Sequence, residues 1–461
     1  MHRNGHRHIP PVATVHEFTE DMVSRHAATG PRYRRAMLIL GALFLLGVAG
    51  FVARALQDGF DDRLPWGYFA ATVAYLMTTA GTAPLIVIGM RAVKAHWHRP
   101  LARIGELYGA STVLILAMFI PLLFLIPSAV NRRTLYFQSD GTGVPGTLGR
   151  IPGAPQVYDL VLLAALVAAG VGLLWVSSRA DRAVVRDHKG QSPGNWRGLL
   201  RQWKVHKVGL GLLGATYFLA AIGFISLYSI DFSMALVPGW RDAIYPAFQS
   251  ISGLQGGLAT VLVTMYLLRK YGHFEQYIHM EHFWAPSKIL LALCLLWFYF
   301  GWSTLIIYWY GRQPVERDVL QLLMFGPYEW FFYGAFLLCF VAPFTTLLWN
   351  SVRKSTTGPA LAAAFILVGN LFDKLRLYAG SWSVPNEQIN FHGLEGVPLV
   401  HYPDLLDVLM VVGGISGALF LFLWMARRTP VISLWEMSEG LRLRVVRPFL
   451  RTRLTVIGKS E

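Results

Sequence analysis

Ten apolar stretches, each about 20 residues or longer, set the terms for how this chain can fold. A helix rises 1.5 Å per residue and the hydrocarbon core of a bilayer is about 30 Å thick, so about 20 apolar residues suffice to cross it. The stretches lie near 36–57, 67–90, 107–128, 157–178, 207–231, 243–268, 286–310, 327–349, 358–379 and 403–426. Backbone N–H and C=O groups in lipid must pair within their own segment, so each stretch is predicted to be a helix. Composition points the same way. Of 461 residues, 54% are hydrophobic and 15% are charged, against roughly 25% charged in soluble domains. A soluble enzyme and a disordered chain are excluded. The expected fold class is an all-α polytopic membrane protein with about ten transmembrane helices.

Basic residues orient it. Segments 1–35, 91–106, 179–207, 269–288, 350–357 and 427–461 alternate with outer loops and hold 31 of the 41 Lys and Arg residues. The positive-inside rule then places both termini in the cytoplasm, and the cell's inner membrane is the expected location. The net charge of +15 is topology signal and contact with anionic lipid, not a nucleic-acid footprint. The chain divides into a cytoplasmic tail (1–35), a first transmembrane bundle with a leading helix (36–233) and a second bundle (234–379). An outer loop with the last helix (380–426) and a basic cytoplasmic tail (427–461) follow. Spans 2–5 and 6–9 have the topology of parallel four-helix repeats, with Pro65 and Pro246 near their starts. The tail after Arg427, with Trp435, Met437, Leu441 and several arginines, reads as a basic amphipathic segment on the membrane surface. No cleavable signal peptide is expected. The histidines of the first 35 residues are irregularly spaced and read as a solvated tail, and loops 129–156 and 380–402 are long enough to be partner-facing.

Two cysteines, Cys294 and Cys339, exclude a disulfide scaffold and iron–sulfur or zinc sites built from this chain alone. All 14 histidines lie in tails, loops or helix ends, so no bis-histidine haem is expected. No Walker A sequence and no G-x-S-x-G elbow occurs. The glycines of 253–257 read as close helix packing.

Ionisable groups within spans are costly, about 2.5–3.5 kcal/mol at mid-helix, and carry a functional expectation. They gather at the outer ends. Asp159 opens span 4 and Asp231 closes span 5, each in apolar sequence (Val157-Tyr158-Asp159-Leu160 and Ser229-Ile230-Asp231-Phe232). A desolvated carboxyl can accept a hydrogen bond and a proton from a quinol hydroxyl. Asp373, Lys374 and Arg376 crowd the end of span 9, where local pairing of Asp373 is expected. Asp404 and Asp407 open span 10, and Glu316 lies in a short outer loop. His282 and Lys288 lead into span 7, and Gln255 lies within span 6. Gln255, His282, Lys288, Glu316, Asp373 and Lys374 are the candidate proton-path residues.

Several blocks together resemble one family. They are Pro65-Trp66-Gly67, Ala80-Gly81-Thr82, Tyr158-Asp159, Ser229-Ile230-Asp231-Phe232 and Pro238-Gly239-Trp240. His282 with Lys288, Trp309-Tyr310-Gly311 with Pro314 and Glu316, Phe325-Gly326-Pro327-Tyr328-Glu329-Trp330, and Asn370-Leu371-Phe372-Asp373-Lys374 complete the set. Over about residues 60–380 the chain resembles the NrfD/PsrC family, the membrane subunits of polysulfide reductase-type complexes. Within it, the likeness is to the quinol-oxidising membrane subunits of alternative complex III. The resemblance implies two four-helix bundles with an extra helix at each end, no haem and no metal in this chain, and a quinone/quinol pocket near the outer side of the first bundle. It makes Asp159 and Asp231 the proton acceptors, with Trp66, Thr79 and Tyr158 as pocket residues. It implies partners: an iron–sulfur subunit, molybdopterin-type or cytochrome c subunits, and a second homologous membrane subunit. One position departs from the pattern. Quinol-oxidising relatives commonly carry His before the Ala-Gly-Thr of span 2, where this chain has Thr79. Threonine can hydrogen-bond a quinone oxygen but is not a base near neutral pH.

The leading expectation is therefore a quinol-interacting subunit of a respiratory oxidoreductase complex, with electrons passing to or from a partner's metal centres. A structural or proton-conducting anchor without a quinone site and a secondary transporter are the alternatives.

Overall fold

A computed structural model of the chain describes residues 14–27, 30–126, 156–388, 392–449 and 452–457. His2, His6 and His8 and nearly all of the outer loop 129–156 lie outside the described residues. Among the described residues nine helices are long and apolar enough to cross a membrane: Pro31–Asp58 (α2), Leu64–Ala92 (α3), His96–Leu125 (α4), Gln156–His188 (α5), Leu200–Leu236 (α6), Tyr245–Tyr271 (α7), Glu281–Gly311 (α8), Glu329–Leu348 (α9) and Leu405–Arg428 (α11). Val15–Ala27 (α1) precedes them. Thr357–Lys374 (α10) stands at the ninth predicted stretch and runs through a π turn, Leu375–Ala379, into Gly380–Trp382. Asn370, Asp373 and Lys374 make it more polar than the other nine. Leu434–Arg442 (α12) and a hairpin of Arg444–Phe449 (β1) and Thr452–Ile457 (β2) end the described chain. The fold is an all-α polytopic membrane architecture carrying one small terminal hairpin.

Its exterior confirms the solvent. Leu38, Ile39, Leu45 and Leu56 of α2 and Leu212 and Leu219 of α6 are all more than half exposed, a surface that belongs in lipid rather than water. Trp309, Tyr310 and Trp330 project near one end of the helices, and Trp349 and Tyr271 near the other, as interfacial aromatic belts do. Several helices outrun their apolar stretches. Arg179, Arg182 and Arg186 carry α5 past residue 178 to His188, because backbone hydrogen bonds continue into the headgroup layer after the apolar pattern stops.

α5 packs along α6, and α4 packs on α3 and α5. α7 packs on α8 and α10, with α9 against α10, and α3 and α6 both meet α7. The first and last spans form the most extensive pair, α2 on α11. Glycine sets their separation: a Cβ on Gly47 would stand 2.4 Å from Gly413 Cα, and one on Gly50 would stand 3.0 Å from Leu409 Cβ. Small residues of this kind let membrane helices approach at backbone distance. At the outer end Arg54 holds the pair together, binding Asp58 at 3.0 Å, Asp404 at 2.6 Å and Asp407 at 3.1 Å.

The opposite end is fastened by a buried ionic lattice. Arg103 pairs with Glu106 at 3.2 Å and with Asp181 at 2.6 Å, all three enclosed. Arg91 pairs with Glu106 and, at 2.7 Å, with Glu436 of α12. Asp181 also accepts the Trp435 backbone N–H at 3.0 Å, and the Trp435 indole donates to Ser177 O. Phe18, Met22 and Val23 of α1 pack with Ile432, Leu434 and Met437, so both terminal segments close the same end of the molecule. This corrects the reading of the tail as a membrane-surface segment. Leu434, Glu436 and Met437 are buried against the bundle, and Trp435 is hydrogen-bonded to it. The acidic Glu436 and Glu439, outnumbered by arginines in the sequence, pair with Arg91 and Arg99 and help to dock the segment.

Two outcomes follow from this packing. Gly47→Val should destabilise the chain by about 1–3 kcal/mol through overpacking against Gly413, seen as a lower melting temperature in detergent. Burial raises the Glu436 carboxyl, but Arg91, His98 and Arg103 outweigh burial and hold it below the ordinary value of 4.5. The folded value is depressed, so the stabilisation is complete above about pH 4.5 and is lost as pH falls through the folded value. The protection of amides across 434–442 against hydrogen exchange, corrected for the intrinsic pH dependence of exchange, should therefore fall on acidification below about pH 4.5, and Glu436→Gln should weaken that pH dependence.

Candidate functional site

Two polar assemblies lie inside the helices, at different depths. The first is at the outer ends of α5 and α6. Asp159, in the first turn of α5, and Asp231, near the end of α6, are both fully enclosed. Neither is isolated; each has interaction partners in the chain. A stack of aromatic rings stands at the same end of the helices. Tyr228 stacks on Phe232 at 4.7 Å and on Tyr378 at 5.3 Å, and Phe119 meets Phe232 at 5.1 Å. Asp159 lies near both Tyr228 and Tyr378. The Tyr228 hydroxyl donates to Ala70 O at 2.9 Å, which ties α6 to α3. Tyr158 lies beside Asp159 and is half-buried.

The other two expected pocket residues have different settings. Trp66 is fully buried, stacks on Phe60 at 5.0 Å and donates its indole N–H to Gly59 O at 3.1 Å. It caps the outer end of α3 as packing. Thr79 lies at mid-depth, where α3 breaks. Its hydroxyl donates to Tyr75 O at 2.6 Å, and it lines a cavity of about 520 Å³ between α2, α11 and α7. None of Trp66, Tyr158, Asp159 or Asp231 lines that cavity. Of the five residues expected in one pocket, Tyr158, Asp159 and Asp231 lie at the outer ends of α5 and α6, while Trp66 packs at the head of α3 and Thr79 faces the mid-depth cavity.

The break in α3 organises the second assembly. Helix gives way to turns over residues 79–82, with Gly81 N–H reaching Leu76 O at 2.9 Å. Pro84, which has no N–H and restricts the residue before it, starts the second half. Tyr217 donates to Gly81 O at 2.6 Å. α7 meets the break with glycines: a Cβ on Gly256 would lie 2.3 Å from Thr78 O, and one on Gly257 would lie 2.7 Å from Thr82. The close-packing expectation for 253–257 holds for that reason.

From Thr78 a chain of polar contacts runs toward the outer side. Asn370 donates to Thr78 Oγ1 at 3.3 Å and accepts from Ser252 at 3.2 Å. Lys374 donates to Ser252 at 3.1 Å, to Asp373 at 3.1 Å and to Gln249 Oε1. Arg376 donates to Asp373 at 2.7 Å and to Leu323 O at 3.3 Å. The expected pairing of Asp373 is present with both neighbours. Arg376 then borders an aromatic cavity of about 100 Å³ shared by Trp240, Phe248, Trp297 and Tyr308. Asp242 borders it as well, held by Thr304 at 3.0 Å and by Ile244 N–H at 2.8 Å, and burial raises its carboxyl.

Of the six proton-path candidates, Asp373 and Lys374 are joined. Gln255, one turn along α7 from Ser252, instead binds Cys339 O at 2.9 Å in the π turn Leu337–Val341 of α9. His282 binds Trp97 O at 3.0 Å, and Lys288 sits 3.6 Å over the Trp284 ring, both at the opposite end of α8 from Arg376's cavity. Glu316 belongs to a short helix, Pro314–Leu320, beyond the other end. The sequence reading missed Asp242, Arg103, Glu106 and Asp181. Arg103 and Glu106, three apart, and the acidic Asp181 in a basic run were the available signals.

No protein-family model matches the chain, and no curated protein sequence matches it. The site is therefore defined by its own geometry.

Asp373→Asn would leave Lys374 and Arg376 buried without their shared carboxylate. Breaking such a cluster costs about 3–5 kcal/mol, so this variant should melt well below wild type in detergent. The exposed Glu395→Gln should not.

Proposed function

We propose that this chain is a quinol/quinone-interacting integral membrane subunit of a respiratory oxidoreductase complex of the NrfD/PsrC type, residing in the inner membrane. The observation that carries the reading is the outer assembly: two fully buried carboxylates, Asp159 and Asp231, on adjacent antiparallel helices beside a stack of aromatic rings. Carboxylate oxygens match the two hydroxyl donors of a quinol, and flat rings match its planar head. A quinol supplies two electrons and two protons. In this reading Asp159 and Asp231 accept the protons. Electrons pass to or from the metal centres of an iron–sulfur partner, accompanied by molybdopterin-type or cytochrome c subunits and a second homologous membrane subunit. The Asp373–Lys374–Arg376 cluster is a candidate for proton handling nearby. Thr79, in a separate cavity, has no part in the outer site.

A secondary transporter is the second reading. The break in α3 at mid-depth, beside Asn370 and Lys374, favours it, because transporters commonly place discontinuous helices at the midplane.

The test is made on the complex that co-purifies from native membranes in mild detergent. Asp159→Asn and Asp231→Asn should each lower quinol oxidation by about 100-fold, the lower end expected for loss of a general base, with subunit composition unchanged. Undiminished turnover would leave a proton-conducting or structural anchor. A chain that purifies alone and moves a solute in liposomes would establish the transporter.

A further inference from the structure

We infer that the large cleft between α2, α11 and α7 holds one acyl chain of an anionic phospholipid, drawn from the leaflet on the side of the two terminal segments. The cleft encloses about 520 Å³, within the usual range for a ligand cavity. Along α7 it extends from Thr260 to Gly272, about 18 Å at the helical rise. Half of a ~30 Å hydrocarbon core is about 15 Å, so the cleft has the depth of one leaflet. Its walls are mostly apolar along this length, with Ala36 and Leu40 from α2, Val263 and Leu267 from α7, and Ala418 and Leu419 from α11, while the hydroxyls of Thr79, Thr260 and Thr264 bond back to carbonyls of their own helices. Leu267 and Leu419 are partly exposed on its rim, leaving a lateral way in from the bilayer.

The mouth is cationic. Arg32 lines it, is exposed, and forms no ion pair with any described residue. Tyr33 and Tyr271 flank it as interfacial tyrosines do. Lys270 lies 5.5 Å over the Tyr271 ring, and Arg427 lies near Tyr33. Basic side chains at a membrane surface favour an anionic headgroup over a zwitterionic one by about fivefold each. With a phosphate-bearing headgroup at Arg32, the chain attached to it runs between α2 and α7 toward mid-depth. There it fills the space between the α2–α11 pair and the rest of the helices. This assignment does not depend on the quinol reading.

The test uses the full chain in nanodiscs of equal phosphatidylglycerol and phosphatidylcholine, delipidated in mild detergent and weighed by native mass spectrometry. Wild type should retain one phosphatidylglycerol per chain. Arg32→Gln, a change at an exposed side chain, should lower that retention about fivefold. Ala36→Phe, which fills the cleft and leaves Arg32 in place, should abolish it. Equal retention of phosphatidylcholine, undiminished retention in both variants, or recovery of a quinone in place of the phospholipid would overturn the assignment. Arg32→Gln and the lipid preference decide the matter even if Ala36→Phe does not fold.

Discussion

A backbone carbonyl freed in the middle of a bilayer has no water to turn to, and much of this protein's interior is arranged around one such place. The turns over residues 79–82 interrupt α3 at mid-depth. Tyr217 closes one freed carbonyl, and Thr79 O takes both Ala83 N–H and the Thr82 hydroxyl. The irregular segment is wide, so α7 must be thin where the two cross. Gly253, Gly256 and Gly257 make it so. The same crossing brings Asn370 against Thr78, and through Ser252 it sets the position of Lys374. The polar chain toward Arg376 follows from how a broken membrane helix is accommodated.

Charge is managed by enclosure in clusters. Three carboxylates meet Arg54 at one end of the molecule, and Arg91 and Arg103 meet Glu106, Asp181 and Glu436 at the other. Isolated charges in this medium would demand desolvation without return, and pairs with good geometry offset it. The clusters also join segments far apart in the chain: α2 to α11, and α3, α4 and α5 to α12. Lys374 and Arg376, sharing Asp373, are the deepest example and the nearest to the midplane break. Asp159 and Asp231 are enclosed at the outer ends of α5 and α6, where Tyr228, Phe232 and Tyr378 stack on one another.

Spans were legible because lipid imposes a minimum apolar length, and glycine contacts at 253–257 were legible because small residues have one common use in membranes. The outer carboxylates were also legible, since an acid inside an apolar run stands out. Thr79 stands apart from the two carboxylates for a definite reason. Linear order puts it near the Ala-Gly-Thr block, but the helix break turns it toward the cavity of α2, α11 and α7. The terminal segment was read as lying on the membrane because its arginines outnumber its acids, while Glu436, Glu439 and Trp435 make contacts that dock it on the bundle. His282, Lys288 and Glu316 share polarity with Asp373 and Lys374 but not location.

The sequence by itself determined the solvent, nine of the ten expected crossings and the expected sidedness, because these depend on run length and on the sum of basic residues along the chain. Only the tertiary structure decided which charges meet. Arg103 with Asp181, Arg91 with Glu436 and Arg54 with Asp404 are separated by dozens to hundreds of positions. Pairing of that kind depends on which helix faces touch, and the touching faces are chosen by glycine contacts and by a break in one helix that hydropathy does not register.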